Sequence, residues 1–418
     1  MSESSLSALY SRAQALDQSD PLAALRARFT LPPGVAYLDG NSLGALPTHV
    51  AERLRRAVEQ EWGRGLIRSW NDAGWYAAPQ RVAAAIARLI DAAADEVIVC
   101  DSTTVNLFKL LTAAMAAAPD RPVVIVEAGN FPTDAYVTTE AARLYGREVR
   151  LADQDSIDAA IEAAGTQLCV VALTHVHYKT GRMYDMARIT DRVHAVGGRI
   201  VWDLAHSAGA VPVSLHACAA DYAVGCGYKY LNGGPGAPAF AYVRRDLIAE
   251  LVTPLVGWHG HAAPFAFEQA WRPHAGIARL LVGTAPQLSL LALESALEVF
   301  ADVEIGEIRA KSISLTEFFI EGYDRHLASL GFGLVTPRDA ASRGSQVSLT
   351  HPEGYAVMQA LIERGVIGDF RAPDILRFGF APLYVQHVDA AQAIATLAEV
   401  MHSGAWRAPH HAERKAVT

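Results

Sequence analysis

Asp221-Tyr-Ala-Val-Gly-Cys-Gly-Tyr-Lys-Tyr-Leu-Asn-Gly-Gly-Pro-Gly236 is a short apolar strand that runs into a single lysine and then into a glycine-rich turn. Lys229 is the only lysine between Lys179 and Lys311. Its neighbours Tyr228, Tyr230 and Leu231 predict a desolvated setting that favours the neutral, nucleophilic amine. Such an amine forms Schiff bases with carbonyl compounds. Earlier in the chain, Arg199-Ile-Val-Trp-Asp-Leu-Ala-His-Ser-Ala-Gly209 brings Asp203 and then His206 out of another buried-looking strand into a turn. A strand-end carboxylate followed by a strand-end lysine is what pyridoxal phosphate requires. The lysine holds the aldehyde, and the carboxylate keeps the ring nitrogen protonated so that the ring accepts electrons from a carbanion. Singly, such an Asp reads as a helix cap and such a Lys as a solvated side chain. Together and in this order they read as a cofactor site.

Six stretches extend the pattern: Leu38-Asp-Gly-Asn-Ser-Leu-Gly44, Phe131-Pro-Thr-Asp134, Asp203-Leu-Ala-His206, Gly227-Tyr-Lys-Tyr-Leu-Asn-Gly-Gly-Pro-Gly236, Gly257-Trp-His-Gly-His261 and Gly283-Thr-Ala-Pro286. With them the sequence resembles the kynureninases, within the fold type I, aspartate-aminotransferase-like enzymes of pyridoxal phosphate. Asp and Lys alone indicate only the superfamily. The runs around Lys229 and Trp258 are far more specific.

With 418 residues the chain is longer than one core usually supports, and 51% hydrophobic against 19% charged residues provides for a large interior. A net charge of −8, a pI near 6.0 and the absence of a basic run exclude a nucleic-acid arm. The N-terminus lacks a basic and then apolar leader, and no apolar run approaches the ~20 residues of a membrane span, so a cytoplasmic location is expected. The four cysteines, Cys100, Cys169, Cys218 and Cys226, form no Cys-x-x-Cys pair and are expected to be buried thiols. No Gly-x-x-x-x-Gly-Lys-Ser/Thr loop occurs, which excludes Walker-type phosphate binding.

Taken in order, residues 6–16 predict an amphipathic helix and Pro32-Pro33-Gly34 a break. The helix expected over 49–62 carries Val50, Leu54 and Val58 opposite a charged face. β-Branched runs at 96–100, 122–127, 168–173 and 199–202, separated by single helices, predict a mostly parallel sheet buried on both faces, with ligands at the carboxyl ends of its strands. The run 237–243 contains Pro238 and is expected beside an edge or bulge. A helix is expected over 287–300. Beyond it, helix 305–330, strands 333–335 and 346–349, helix 355–364, strand 375–378 and helix 389–401 predict a smaller α+β domain. The tail from Pro409 is expected to fray. The division expected is an N-terminal segment 1–48 that packs with the small domain, a large cofactor domain 49–301 and a C-terminal domain 302–418.

The strand ends supply chemistry. Ser102-Thr103-Thr104 opens a helix as a phosphate cradle or an ordinary cap. His175 and His177 are spaced like a metal pair, but no third ligand lies nearby, and zinc is not expected. His259 and His261 resemble another such pair, but flanking glycines favour a phosphate-side loop. Arg377, alone in an apolar strand, is either paired structurally or bound to a ligand carboxylate.

The resemblance implies more. Phe131 stacks on the cofactor ring, and Pro132, Thr133 and Asp134 help to hold it; Thr174, His206, Trp258 and Thr284 are further cofactor contacts. Tyr228 serves phosphate binding and proton transfer, and Lys229 acts as base at Cα beside Asp203. Arg377 takes the substrate carboxylate, with Asn41, Ser42 and Trp70 around the substrate. It also implies a homodimer with shared active sites, in which the loops of Trp258 and Thr284 reach the partner's phosphate. The implied reaction is hydrolysis of L-kynurenine to anthranilate and L-alanine in tryptophan breakdown. In animal enzymes that favour the 3-hydroxylated substrate, a histidine and an asparagine stand where Trp70 and Thr284 are matched here, so L-kynurenine is expected to be preferred over 3-hydroxy-L-kynurenine. Class V aminotransferases and cysteine desulfurases share the Asp and Lys logic. A desulfurase, however, needs a cysteine on a C-terminal loop, and none follows Cys226.

Overall fold

The computed structural model describes residues 3–415. Its centre is a seven-stranded sheet in the order 97–99, 239–243, 222–226, 199–203, 168–174, 123–127, 148–152. Every neighbouring pair is parallel except those made by Ala239–Val243, which runs against both its neighbours. The sequences Val-Val-Ile-Val-Glu, Leu-Cys-Val-Val-Ala-Leu-Thr and Tyr-Ala-Val-Gly-Cys are buried at every position, as strands covered by helices on both faces must be. Two apolar clusters lie against the sheet: Trp202 and Phe240 belong to one, Val201 and Ala241 to the other.

Two expectations change at this level. Between Glu127 and Leu168 the chain forms two helices, Pro132–Leu144 and Ile157–Ala164, with an extra strand, Glu148–Ala152, between them. That strand is the sheet edge and is largely exposed, so Glu-Val-Arg-Leu-Ala lacks the apolar run of a central strand. Pro238 precedes a strand that lies beside the edge strand Val97–Val99, as expected. It stands just outside the ladder, so its missing N–H breaks no sheet bond. The helix expected over 49–62 is α-helical only over Val50–Arg56, then π-helical over Ala57–Gly65, and Val58 is 42% exposed.

The second sheet places Gly333–Leu334, Gln346–Thr350, Ile375–Gly379 and Asp369–Arg371 side by side, all antiparallel, with helices Ile305–Gly322, Gly354–Glu363 and His387–Ser403 in the same unit. The N-terminal helix Glu3–Gln18 packs on His387–Ser403, and Asp17 accepts the N–H groups of His387 and Val388 at 2.7 and 3.0 Å. Arg26 forks onto Asp389 at 2.5 and 3.2 Å, and Ala36–Tyr37 pairs with Val366–Ile367. The tail is docked as far as residue 415. Pro409–Ala412 is helical, Tyr355 donates to Glu413 O at 2.9 Å, and the Arg414 guanidinium lies 4.2 Å from the Tyr355 ring centre.

Candidate active site

Parallel pairing sets Thr174 beside Asp203, each the last residue of its strand. The next strand over, Tyr222–Cys226, ends three residues before Lys229. One cavity of about 690 Å³ opens here. Of the residues expected from the sequence, its wall gathers Thr103, Thr104, Phe131, Thr133, Asp134, Thr174, Asp203, His206, Tyr228, Lys229 and Thr284.

The lysine turn is held from behind. Lys229 O accepts from Asn232 N at 2.9 Å, with Asn232 in the left-handed region at φ 59°, and Tyr230 donates to Ser345 O at 3.0 Å. Tyr230 and Leu231 therefore point into the core, 3% and 1% exposed. The rings that flank the amine are those of Phe131 and Tyr228, whose centres lie 6.0 and 5.9 Å from Nζ. Gly44 supports the same turn. Its N–H donates to Tyr228 O at 2.8 Å, and a Cβ there would clash with Lys229 O. That close approach is the physical reason for a glycine at the end of Leu38-Asp-Gly-Asn-Ser-Leu-Gly44.

The two carboxyl groups differ in state. Burial first, and then Asp203 beside it, pushes Asp134 well above the ordinary carboxylate range, so it retains a proton. Burial raises Asp203 too, but the Ala205 N–H at 2.7 Å and the Lys229 ammonium oppose this, which makes Asp203 the better anion of the pair. Burial, then Lys229 and Arg377, push His206 well below its usual range, so its ring is neutral and meets Gln346 Oε1 at 3.3 Å. Cys226 and burial hold the Tyr228 phenol protonated.

The remaining expected residues lie off the cavity wall. Pro132 is the first residue of its helix. Trp258 is 43% exposed and stacks on His259, ring centres 4.9 Å apart. Its loop abuts that of Thr284, since a Cβ on Gly257 would clash with Val282 O. Trp70 packs edge-on against Trp75 at 5.9 Å. Asn41 is buried and donates to Gln346 Oε1 at 3.4 Å. Arg377 is engaged on every nitrogen: Nε with Asp369 at 2.6 Å, Nη1 with Tyr178 O at 2.6 Å, and Nη2 with Asp369 and with Ser42 Oγ, the latter at 3.1 Å. The histidines at 175, 177, 259 and 261 each have separate protein partners: Ser207, Thr180 with Gly129 O, Gly283 O, and Ala270 O. Sequence reasoning missed Tyr178, Asp369 and Gln346. Tyr178 follows a strand end, which is a usable signal; the other two become visible only through strand pairing with Arg377 and the hydrogen bond to His206.

This donor set fits pyridoxal phosphate. Asp203, the anion of the buried carboxyl pair and part of the cavity wall, is where a ring N–H would be accepted, with the protonated Asp134 beside it. The first turn of helix Thr103–Ala117 offers free N–H groups and two hydroxyls to a phosphate, and Lys229 supplies the amine.

Among solved structures, the fold is similar to a C-DES mutant with glycine covalently linked to its PLP cofactor (TM-score 0.78, 19% identity, 90% of this chain and 99% of that one). It is also similar to the cysteine desulfurase CsdA of Escherichia coli (TM-score 0.76, 21% identity, 91% and 98%). These likenesses place the fold with the fold type I enzymes. Unlike its fold, the chain's sequence points in one direction. Residues 308–397 match the kynureninase C-terminal domain. The kynureninase of Burkholderia mallei strain ATCC 23344 is 50% identical over 97% of this chain and 99% of its own length. That of Pseudomonas fluorescens is 48% identical over 97% and 98%. Half of all positions shared along nearly the whole length of both proteins places this chain in the kynureninase family.

Proposed function

We propose that this chain is a pyridoxal phosphate enzyme that hydrolyses L-kynurenine to anthranilate and L-alanine, one water entering across the Cβ–Cγ bond. The observation that carries the reading is the meeting of Lys229, the Asp134/Asp203 pair and the Thr103–Thr104 helix start around one cavity. Bound there, pyridoxal phosphate supplies a protonated ring that accepts electron density from the substrate's Cα.

The protein groups have separable tasks. Lys229 anchors the cofactor and, once the substrate amine has replaced it, takes and returns the proton at Cα. Asp203 keeps the ring nitrogen protonated, and Asp134, itself protonated, removes a second negative charge from beside it. Phe131 and the neutral His206 supply flat contacts for the ring. Thr103, Thr104 and Thr284 supply donors for the phosphate, with Thr133 shaping the wall and Pro132 behind it opening the helix that carries Thr133 and Asp134. Tyr228 donates a hydrogen bond there and relays a proton to Cβ, the carbon retained in L-alanine. Arg377 receives the substrate carboxylate with the Ser42 hydroxyl at its side, and Asn41 fixes Gln346 behind His206.

The same reading includes a homodimer. Trp258, Phe265 and Phe267 are 43%, 64% and 73% exposed, an apolar surface that a second copy would cover. In the division at residues 48/49 and 301/302, the packing of the N-terminal segment with the small domain is supported by its contacts with helix His387–Ser403. A cytoplasmic location is supported by four unpaired, buried cysteines. No helix among the described residues is long and apolar enough to cross a membrane.

The test is direct. L-Kynurenine is added to the purified holoprotein and anthranilate fluorescence is followed, beside an assay for amino-group transfer to a keto acid. Transfer without anthranilate would reject the hydrolase reading.

A further inference from the structure

Lys109 is fully buried, on the second turn of helix Thr103–Ala117, and no step of the reaction uses it. Its ammonium donates to Asp101 Oδ2 at 2.5 Å and to Leu280 O at 2.5 Å. Both partners belong to loops of the cavity wall. Asp101 lines it directly, immediately before Ser102, Thr103 and Thr104, and Leu280 precedes Leu281, Val282, Gly283 and Thr284. Asp101 also holds a left-handed backbone at φ 49°, with its carbonyl accepting from Ala239 N at 2.9 Å. This conformation is uncommon for a residue with a Cβ, and surrounding contacts must hold it in place.

The charge arrangement is the informative part. A carboxylate at the mouth of a phosphate cradle opposes a dianion, and in a partly dry cavity that repulsion is poorly screened. A buried ammonium on the carboxylate cancels it. We propose that Lys109 is a positioning residue for the cofactor phosphate, neutralising Asp101 and tying the 101–104 loop to the 280–284 loop so that the cradle accepts a dianion. The inference rests on the cofactor assignment above.

The phosphate makes the test specific. Cofactor-free protein is titrated with pyridoxal phosphate and, separately, with pyridoxal, which lacks the phosphate, and the visible absorbance is followed. Wild type must bind pyridoxal phosphate far more tightly than pyridoxal; if it does not, the cofactor assignment fails before Lys109 is at issue. Lys109→Met, which leaves Asp101 uncompensated, is expected to raise the dissociation constant for pyridoxal phosphate at least tenfold and to change that for pyridoxal less than twofold. Asp101→Asn, which leaves no buried anion and serves should Lys109→Met fail to fold, is expected to tighten pyridoxal phosphate at least threefold with pyridoxal unchanged. A shift of both ligands by one factor, or of neither, in the variants that fold would overturn the proposal.

Discussion

Arg377 and Asp369 form a two-point ion pair across adjacent antiparallel strands, with Nε donating to Oδ1 at 2.6 Å and Nη2 to Oδ2, both side chains essentially inaccessible. The arginine that stands out in the sequence is therefore held by its own fold before any ligand arrives. Two separable effects should follow from mutation. Arg377→Lys keeps the charge and loses the fork, and kcat/KM for L-kynurenine should fall by roughly 1 to 3 kcal/mol in transition-state terms. Asp369→Ala strands a buried guanidinium and should cost about 3 to 5 kcal/mol of unfolding free energy, read by denaturant titration. Unchanged kcat/KM in Arg377→Lys would reassign the residue to structure alone.

The roles proposed for Lys229 and Asp203, anchoring and activation, can be separated by mutation. Lys229→Ala should abolish the borohydride-reducible link to pyridoxal phosphate, since no other lysine among the described residues lines the cavity. Asp203→Ala should retain most of the cofactor and lose at least about a hundredfold in kcat, because the ring nitrogen loses the anion that keeps it protonated. Cofactor content and kcat measured on the same preparation separate the two outcomes.

Glu127, at the end of its strand, is buried with both oxygens lacking a well-formed hydrogen bond, and burial pushes its carboxyl up to about 8. The nearby Tyr184 and Gln154 offset only part of that cost. A carboxyl raised above its unfolded value of 4.5 binds protons more tightly when folded. Its contribution is therefore fully present below pH ~4.5 and lost as pH rises through ~8, at roughly 1.4 kcal/mol for each pH step of one between those two values. Thermal melts between pH ~5 and ~9 should show the stability of wild type relative to Glu127→Gln falling on the order of a few kcal/mol as pH rises. A difference that stays constant with pH would place the lost protons elsewhere.

The sequence is most legible where burial imposes a continuous apolar run. The strands ending at Thr174, Asp203 and Cys226 read directly, and with them the positions of the carboxylate and the lysine. Edge strand Glu148–Ala152 does not read, because exposure replaces apolar residues with Glu and Arg. The partners of Arg377 do not read either. Asp369 lies eight residues away in sequence and meets Arg377 only through a hairpin register, which no local pattern encodes. For Lys229 the apolar setting is legible and its neighbours are not, since Tyr230 and Leu231 turn into the core while Phe131 arrives from a different strand end.

Trp258 and Thr284 part company in the structure. Thr284 lines the cavity of its own chain, while Trp258 stands on the surface, edge-on to Phe265 at 5.9 Å. If the tryptophan completes the partner's site, a Lys229→Ala chain mixed with a Trp258→Ala chain should regain activity. Each heterodimer then holds one intact site, so random two-fold pairing restores up to about a quarter of the wild-type rate. No recovery in heterodimers verified by mass would confine each site to one chain.

The preference between L-kynurenine and its 3-hydroxylated form turns on what meets the extra hydroxyl. In the animal enzymes that favour that form, the pattern has a histidine and an asparagine at the positions matched to Trp70 and Thr284. Here Thr284 reaches the cavity, and Trp70 lies in a separate cluster with Ala57, Trp75 and Leu291. Threonine offers one short hydroxyl where asparagine offers two donors and an acceptor on a longer arm, so the substrate hydroxyl is desolvated without an adequate partner. Wild type should therefore show the higher kcat/KM for L-kynurenine. Thr284→Asn should move the ratio towards 3-hydroxykynurenine by about fivefold, the worth of one hydrogen bond of ~1 kcal/mol. Trp70→His alone should move it less, because the indole is held against Trp75 and away from the cavity. A larger effect from Trp70→His than from Thr284→Asn would mean that Trp70 acts in another chain's site, and a wild-type preference for the hydroxylated substrate would overturn the prediction while leaving the cofactor site as described.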